Sequence, residues 1–394
     1  MPALPAQPVR SLYVHVPFCA AKCEYCAFYS EAVSGELVNR YVAALIRELE
    51  LVAPGLRPET VFFGGGTPSL LSLRHWEQIL RAMERLNLLG AAEWTVECNP
   101  ATVSADKAKL LRDFGVNRVS LGVQSLDEHL LDRLGRVHSR EMVFRSFDTL
   151  RSAGFDNLNV DLMFAIPGQT MELWQATLRE ALALGSEHLS CYEVIYEEDT
   201  PLFQQLQAGA FDVDEDLACA MYEELVATAA AHGLQQYEIA NFARDPDPPL
   251  QSSPSHVPGR ACRHNIGYWR GRDSHGLGPS ASGYIGGVRT RNWSNTRLYC
   301  EQLEKGVRAI ESSEELPPLR RAGELAAFGL RMTAGWPFAE FERCTGFDLR
   351  REWRKEMDEL IGQGWGEEDD TGFRLTPKGL RFADGAAEMF LREP

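Results

Sequence analysis

"HVPFCAAKCEYCAFYS", residues 15–30, sets Cys19, Cys23 and Cys26 in a C-x3-C-x2-C spacing. The stretch follows "SLYVHV" (Ser11–Val16), an apolar run rich in β-branched residues that reads as a strand. Thiolates are soft ligands, so a tight group of cysteines reads first as a metal site rather than as three unrelated buried thiols. A structural zinc takes four protein ligands, yet Ala27, Phe28 and Tyr29 follow Cys26 where a fourth would stand. A 4Fe–4S cluster wants one terminal ligand on each iron. Three cysteines leave one iron open, and an open iron can hold a small molecule through an amine and a carboxylate.

The rest of the composition fits a metal site in a reducing compartment. Nine cysteines is an odd number, and Cys98, Cys191, Cys219, Cys300 and Cys344 stand singly, as core or surface thiols do. A disulfide framework is not expected, and a cytoplasmic location is. The first ten residues, "MPALPAQPVR", carry three prolines, Pro2, Pro5 and Pro8, and do not read as a signal peptide. No apolar run is long enough to span a membrane. Forty Lys+Arg against 56 Asp+Glu give a net charge of −16, which argues against non-specific nucleic-acid binding and against a polybasic membrane anchor.

Outward from residue 30, short β-rich runs alternate with helical stretches. After "SLYVHV" come "TVFFGG", "EWTVECN", "RVSLGVQS", "LNVDLMFAIPG" and "HLSCYEVIY", with amphipathic segments such as "VNRYVAALIRELELV" between them. Six strands each returned by a helix predict a parallel sheet and an α/β fold: a partial (β/α)6 barrel over residues 1–285. The Pro/Ser-rich stretch at 244–260, "RDPDPPLQSSPSHVPGR", predicts an exposed loop. Residues 286–394 predict a small, mainly helical C-terminal domain with a winged-helix-like hairpin. Its "DLRREWRKEMDEL" mixes both charges, unlike a DNA-recognition helix.

Barrels keep their chemistry at the C-terminal ends of the strands. "FFGGGTPSLL" there reads either as a flexible turn or as backbone free to approach a ligand. Glu97 ends "VEC", Gln124 ends "GVQ", and Asp161 lies within "NVDLM", where an unpaired carboxylate is costly.

"YVHVPFCAAKCEYC", "GGGTPS", "ECNP", "RVSLGVQS…LGRVHS" and "VDLMFAIPGQT" together resemble the coproporphyrinogen III dehydrogenase family of radical S-adenosylmethionine (SAM) proteins, over nearly the whole chain. The resemblance makes the fold a partial (β/α)6 radical SAM barrel. It implies a 4Fe–4S cluster on Cys19, Cys23 and Cys26, and an electron donor to reduce it. It also implies SAM contacts at Tyr13, Tyr25, Gly65, Gly66, Thr67, Glu97, Gln124, Arg136 and Asp161, some of which could serve a second SAM molecule.

Two departures separate the chain from the oxidase branch of that family. The oxidase pattern resembles C-x3-C-x2-C-x-C, whereas Phe28 stands at the last position here, and few residues precede the first strand to form a lid. Both point to the HemW-type branch, whose members look like haem chaperones. "CRHNIGYW" (Cys262–Trp269) resembles that branch's HNxxYW motif and implies haem binding by His264, Asn265, Tyr268 and Trp269. The alternative for that segment is a packed structural motif with His264 hydrogen-bonded internally. Ser282 stands where relatives often have His, with His275 and His256 as substitutes. The expectation is therefore a haem chaperone that hands haem to an acceptor protein, with no catalytic residue assigned. The alternatives are an oxygen-independent coproporphyrinogen III oxidase and a radical SAM enzyme acting on another substrate.

Overall fold

The structure, a computed structural model, describes residues 7–247 and 256–392. It divides into two compact units. Met1–Leu225 with Asp273–Glu314 form the first, and Val226–Arg272 with Glu315–Pro394 the second. The chain thus leaves the first unit and re-enters it, so this division does not coincide with a single boundary at 285/286. The centre of the Pro/Ser-rich stretch, 248–255, lies outside the described residues.

In the first unit, β1 (Val9–Val16), β2 (Leu56–Gly65), β3 (Glu93–Cys98), β4 (Arg118–Gln124), β5 (Leu158–Phe164) and β6 (His188–Glu193) lie side by side, all parallel, in chain order. These are the six strands read from the sequence. Helices α1 (Gly35–Val52), α2 (Leu73–Arg85), α3 (Ala105–Asp113), α4 (Arg140–Ser152) and α5 (Met171–Ala183) return the chain between them. Leu37, Tyr41, Leu45, Leu49 and Val52 of α1 recur at three- to four-residue spacing and are buried, as an amphipathic helix on a sheet requires. The side chains of Ser72, Ser104, Ser139 and Thr170 cap α2 to α5, each accepting a backbone N–H three residues on. Such a cap contributes about 1 kcal/mol and fixes where each strand-to-helix loop ends.

Barrel-like order continues past the expected six strands. On its other side β1 pairs in parallel with the strand Ser274–Leu277, with Ser11 opposite Ser274 and Val14 opposite Leu277. Antiparallel strands Ser282–Ile285 and Val288–Asn292 follow. Glu48 of α1 anchors this return. It is fully buried and accepts from Gly278 N at 2.9 Å, Asn292 Nδ2 at 2.9 Å and Tyr299 Oη at 2.7 Å. Three donors hold a carboxyl whose ionisation burial otherwise opposes.

The second unit has helices Pro318–Gly329, Arg354–Gly362 and Ala383–Phe390, and an antiparallel hairpin of Gly366–Glu368 with Gly372–Leu375. Its core is aromatic, built on Trp336, Phe341, Trp353 and Phe390. Both indoles are satisfied, Trp336 Nε1 by Leu325 O at 3.0 Å and Trp353 Nε1 by Phe390 O at 2.9 Å. This is the winged-helix-like hairpin and helix set expected from the sequence. Among the described residues, no helix is long and apolar enough to cross a membrane.

Candidate functional site

The cysteine loop begins at the C-terminal end of β1 and is held from several sides. Cys26 N donates to Cys23 O at 3.2 Å, closing the turn between the last two cysteines. Glu24 N donates to Leu134 O at 3.1 Å, and Leu202 N donates to Glu24 O at 2.9 Å. The His15 ring, buried in β1, bonds Tyr29 O through Nε2 at 2.9 Å and so fixes the loop's far end.

The triple glycine lies directly against this loop. Gly66 N donates to Val16 O and Thr67 N to Phe18 O, both at 2.8 Å. A Cβ on Gly66 would fall 2.7 Å from Phe18 O, and one on Gly65, at φ +101°, 2.5 Å from the His15 ring. A Cβ on Gly64 would meet Glu97 Oε2 at 2.9 Å. The run is therefore required first by the protein's own packing of β1 and β2, a reason that the bare sequence pattern did not distinguish from ligand approach.

A cavity of about 680 Å³ opens beside the loop. Cys19, Cys23, Cys26 and Tyr25 line it from the loop, and Gly65, Gly66 and Thr67 from the end of β2. Glu97, Gln124 and Asp161 line it from β3, β4 and β5, and Arg136 from the turn after β4. Five chain segments distant in sequence thus converge, as expected for the C-terminal face of such a sheet. Tyr13 does not line the cavity. Its hydroxyl pairs with His15 Nδ1 at 3.2 Å and its ring stacks on Phe62.

The floor is acidic and buried. Glu97 accepts from Gly65 N at 3.2 Å, and burial together with the nearby Asp161 pushes its carboxyl up to about 8. Burial also raises Asp161, against hydrogen bonds from Ser120 Oγ at 2.8 Å and Asn159 Nδ2 at 2.7 Å. Asn159 Oδ1 in turn pairs with His188 Nδ1 at 2.6 Å and accepts from Ser190 Oγ at 3.2 Å. None of these four supporting residues was singled out from the sequence. Their signal is period two: Ser120/Gly122/Gln124, Asn159/Asp161 and His188/Ser190 put polar or small side chains on one face of strands that are otherwise apolar. Gln124 has φ +66° at a shift of register between β4 and β5. A left-handed conformation at a non-glycine residue costs of order 1–3 kcal/mol and is typical of ligand-facing positions.

The walls carry donors aimed at sulfur. Thr67 Oγ1 donates to Cys19 Sγ at 3.7 Å, and Arg136 Nη1 donates to Cys23 Sγ at 3.5 Å. Arg136 Nη2 donates to Gly122 O at 2.6 Å, while its buried Nε has no hydrogen-bond partner. Tyr25 packs against the apolar cluster that includes Leu130, Leu134 and Met163, and burial holds its phenol well above the ordinary value. Among the described residues, no three His, Cys, Asp or Glu side chains gather as one metal ion would require. A cubane, with one thiolate per iron, makes no such demand. Three thiols on one cavity, two with side-chain donors directed at sulfur, and an orphaned guanidinium N–H fit a 4Fe–4S cluster with an anionic ligand beside it.

The second motif is placed differently. "RHNIGYW" forms the helix Arg263–Trp269 of the second unit, with Asn265 half-buried. His264 is 1% exposed, its Nε2 2.9 Å from Tyr268 Oη and the two rings edge to face. The Arg331 guanidinium lies 5.0 Å from the Trp269 ring centroid, and Trp269 Nε1 is buried without a partner. His256 bonds Asp245, and His275 is buried, its imidazole pushed down to about 4 by burial and by Arg308. Ser282 is exposed at the start of its strand.

Fold and cavity together define a radical SAM barrel. Residues 13–181 match the radical SAM superfamily, and residues 316–382 the HemN C-terminal domain. The chain belongs to the heme chaperone HemW family. It is 34% identical to the Bacillus subtilis protein named heme chaperone HemW, over 98% of this chain and 100% of that one. The Escherichia coli protein of the same name is also 34% identical, over 98% and 99%. A zebrafish (Danio rerio) protein named radical S-adenosyl methionine domain-containing protein 1, mitochondrial, is 33% identical over 97% and 87%. Among solved structures, Escherichia coli coproporphyrinogen III oxidase (HemN) aligns over 98% of this chain and 91% of its own, with TM-score 0.83 at 22% identity. That likeness establishes the common fold.

Proposed function

We propose that this chain is a haem chaperone: it binds haem and passes it to an acceptor protein, with a 4Fe–4S cluster on Cys19, Cys23 and Cys26 and SAM in the adjoining cavity. The reading rests on end-to-end similarity to proteins named heme chaperone HemW. Phe28 agrees with it, since it is a cavity-lining residue, 69% exposed, at the position where the oxidase branch resembles a fourth cysteine. When bound, the cluster supplies an electron donor and an open iron for a chelating ligand. The chain's own part is to place that ligand. Gly65 N–H and the Glu97 carboxyl sit together for its amine and carboxylate ends, and Arg136 Nε offers an unused donor. A separate reductant feeds the cluster, nucleic acid is not a partner, and the cytoplasm is the place of action.

In this reading His264, Asn265, Tyr268 and Trp269 form the haem side. Because His264 is sealed and bonded to Tyr268, ligation of iron requires that bond to open and the imidazole to turn outward. The test is haem titration of the anaerobically reconstituted full chain, followed by its Soret band and by transfer to an apo-haemoprotein. A parallel incubation holds reductant, SAM and coproporphyrinogen III. Haem uptake without protoporphyrinogen IX is expected. Formation of protoporphyrinogen IX, or no haem uptake, overturns the reading.

A further inference from the structure

We propose that Arg136 sets the reduction potential of the cluster by fixing a positive charge and an N–H donor on the Cys23 thiolate. This rests on the reading that Cys19, Cys23 and Cys26 carry a 4Fe–4S cluster. Arg136 closes a turn that is itself fastened to the cysteine loop. Arg136 N donates to Leu131 O and Gly135 N to Asp132 O, both at 2.9 Å, while Glu24 N reaches Leu134 O. Gly135 has φ +69°, which favours glycine, and a Cβ there would lie 3.3 Å from Glu24 Cγ and 3.4 Å from Glu24 N, so the turn lies directly against the loop. The guanidinium fork then spans Gly122 O and Cys23 Sγ, which leaves it one orientation.

The sign follows from charge. One-electron reduction makes the cluster more negative, and a fixed cation at hydrogen-bond range stabilises the reduced form more than the oxidised one. Arginine stays charged at any working pH. Thr67 makes the comparable contact to Cys19 with a neutral hydroxyl at 3.7 Å, and so exerts the smaller effect. Lys22 is also in the loop but exposed, where water screens its charge. The role is distinct from ligand binding, because it uses the two Nη groups and leaves Nε open.

The experiment is an anaerobic redox titration of the reconstituted full chain, followed by the electron paramagnetic resonance of the reduced cluster, with iron and sulfide counted and SAM left out. Arg136→Gln should make reduction at least tenfold less favourable, about 59 mV for one electron. Arg136→Lys should recover part of that shift, and Thr67→Val should fall short of it. An unchanged potential in cluster-bearing Arg136→Gln overturns the proposal. If that variant holds no cluster, Arg136→Met carries the test: it keeps much of the side chain's bulk but neither charge nor donor, and a wild-type potential there overturns the proposal. A wild-type chain that takes up no cluster overturns the underlying reading as well.

Discussion

The cysteine loop and the helix Arg263–Trp269 both contain a motif legible in the sequence, yet their side chains end in opposite conditions. Cys19, Cys23 and Cys26 line an open cavity, with side-chain donors that orient the sulfurs of Cys19 and Cys23 from outside. His264, by contrast, is closed within its own helix by a residue one turn on, Tyr268. An i, i+4 pair on one helix can always satisfy itself, whereas C-x3-C-x2-C in a loop cannot pack away three thiols. Motif spacing therefore announces availability in a loop and leaves it undecided on a helix.

The largest expected effect lies on the open side of that contrast. A Cys19→Ala, Cys23→Ala, Cys26→Ala chain, reconstituted anaerobically, should give no 4Fe–4S absorbance. A full cluster would remove the loop from the site.

Next is the pH dependence of SAM binding. Burial and Asp161 keep the Glu97 carboxyl protonated below about 8 before a ligand binds. A ligand amine favours the ionised form, so binding must release that proton below pH 8 and tighten by up to about tenfold per pH unit as 8 is approached. Above 8 the slope should flatten. Glu97→Gln should lose the slope altogether, and isothermal titration across pH 6–9 that finds it intact would take Glu97 out of the ligand's reach.

Gly66→Ala probes the contact between β2 and the loop. Its methyl would meet two backbone oxygens, Phe18 O and Val16 O, which no rotamer change relieves. A loss of about 1–3 kcal/mol in denaturant unfolding is expected, and unchanged stability would mean the two segments part easily.

The smallest effect falls on the closed side. Tyr268→Phe keeps the ring but removes the hydroxyl that occupies His264 Nε2. If imidazole must be freed to ligate iron, haem should bind more tightly by about 0.5–1.5 kcal/mol, roughly two- to thirteenfold. Unaltered haem affinity in both Tyr268→Phe and His264→Ala would assign the helix to packing alone.

Local pattern carried the reading of the fold as far as local pattern reaches. The six strands, their helices and the wing-like hairpin each announce themselves within a dozen residues. The strand Ser274–Leu277 does not, because what makes it part of the first unit is pairing with β1, whose Ser11 it faces. At the site, Glu97, Gln124 and Asp161 were legible as polar groups ending apolar strands, and all three line the cavity. Asn159, His188 and Ser190 were not, since they face inward below the strand ends and support Asp161 and one another. Tyr13 was placed by resemblance; it shares the face of Phe62 and Glu97, but it sits below His15 on the strand, paired with that ring and stacked on Phe62, and does not line the cavity.

The pairing of Ser11 with Ser274 also orders events during synthesis. β1, which leads into the cysteine loop, acquires β2 early but keeps a bare hydrogen-bonding edge until its second neighbour leaves the ribosome, after all five labelled helices and β6 have been made. An unpaired edge on a nascent chain is an invitation to mispairing. The loop that must receive iron and sulfide thus hangs from a strand that gains its second neighbour late in synthesis, which leaves a long interval in which an assembly factor could reach it before the sheet is complete.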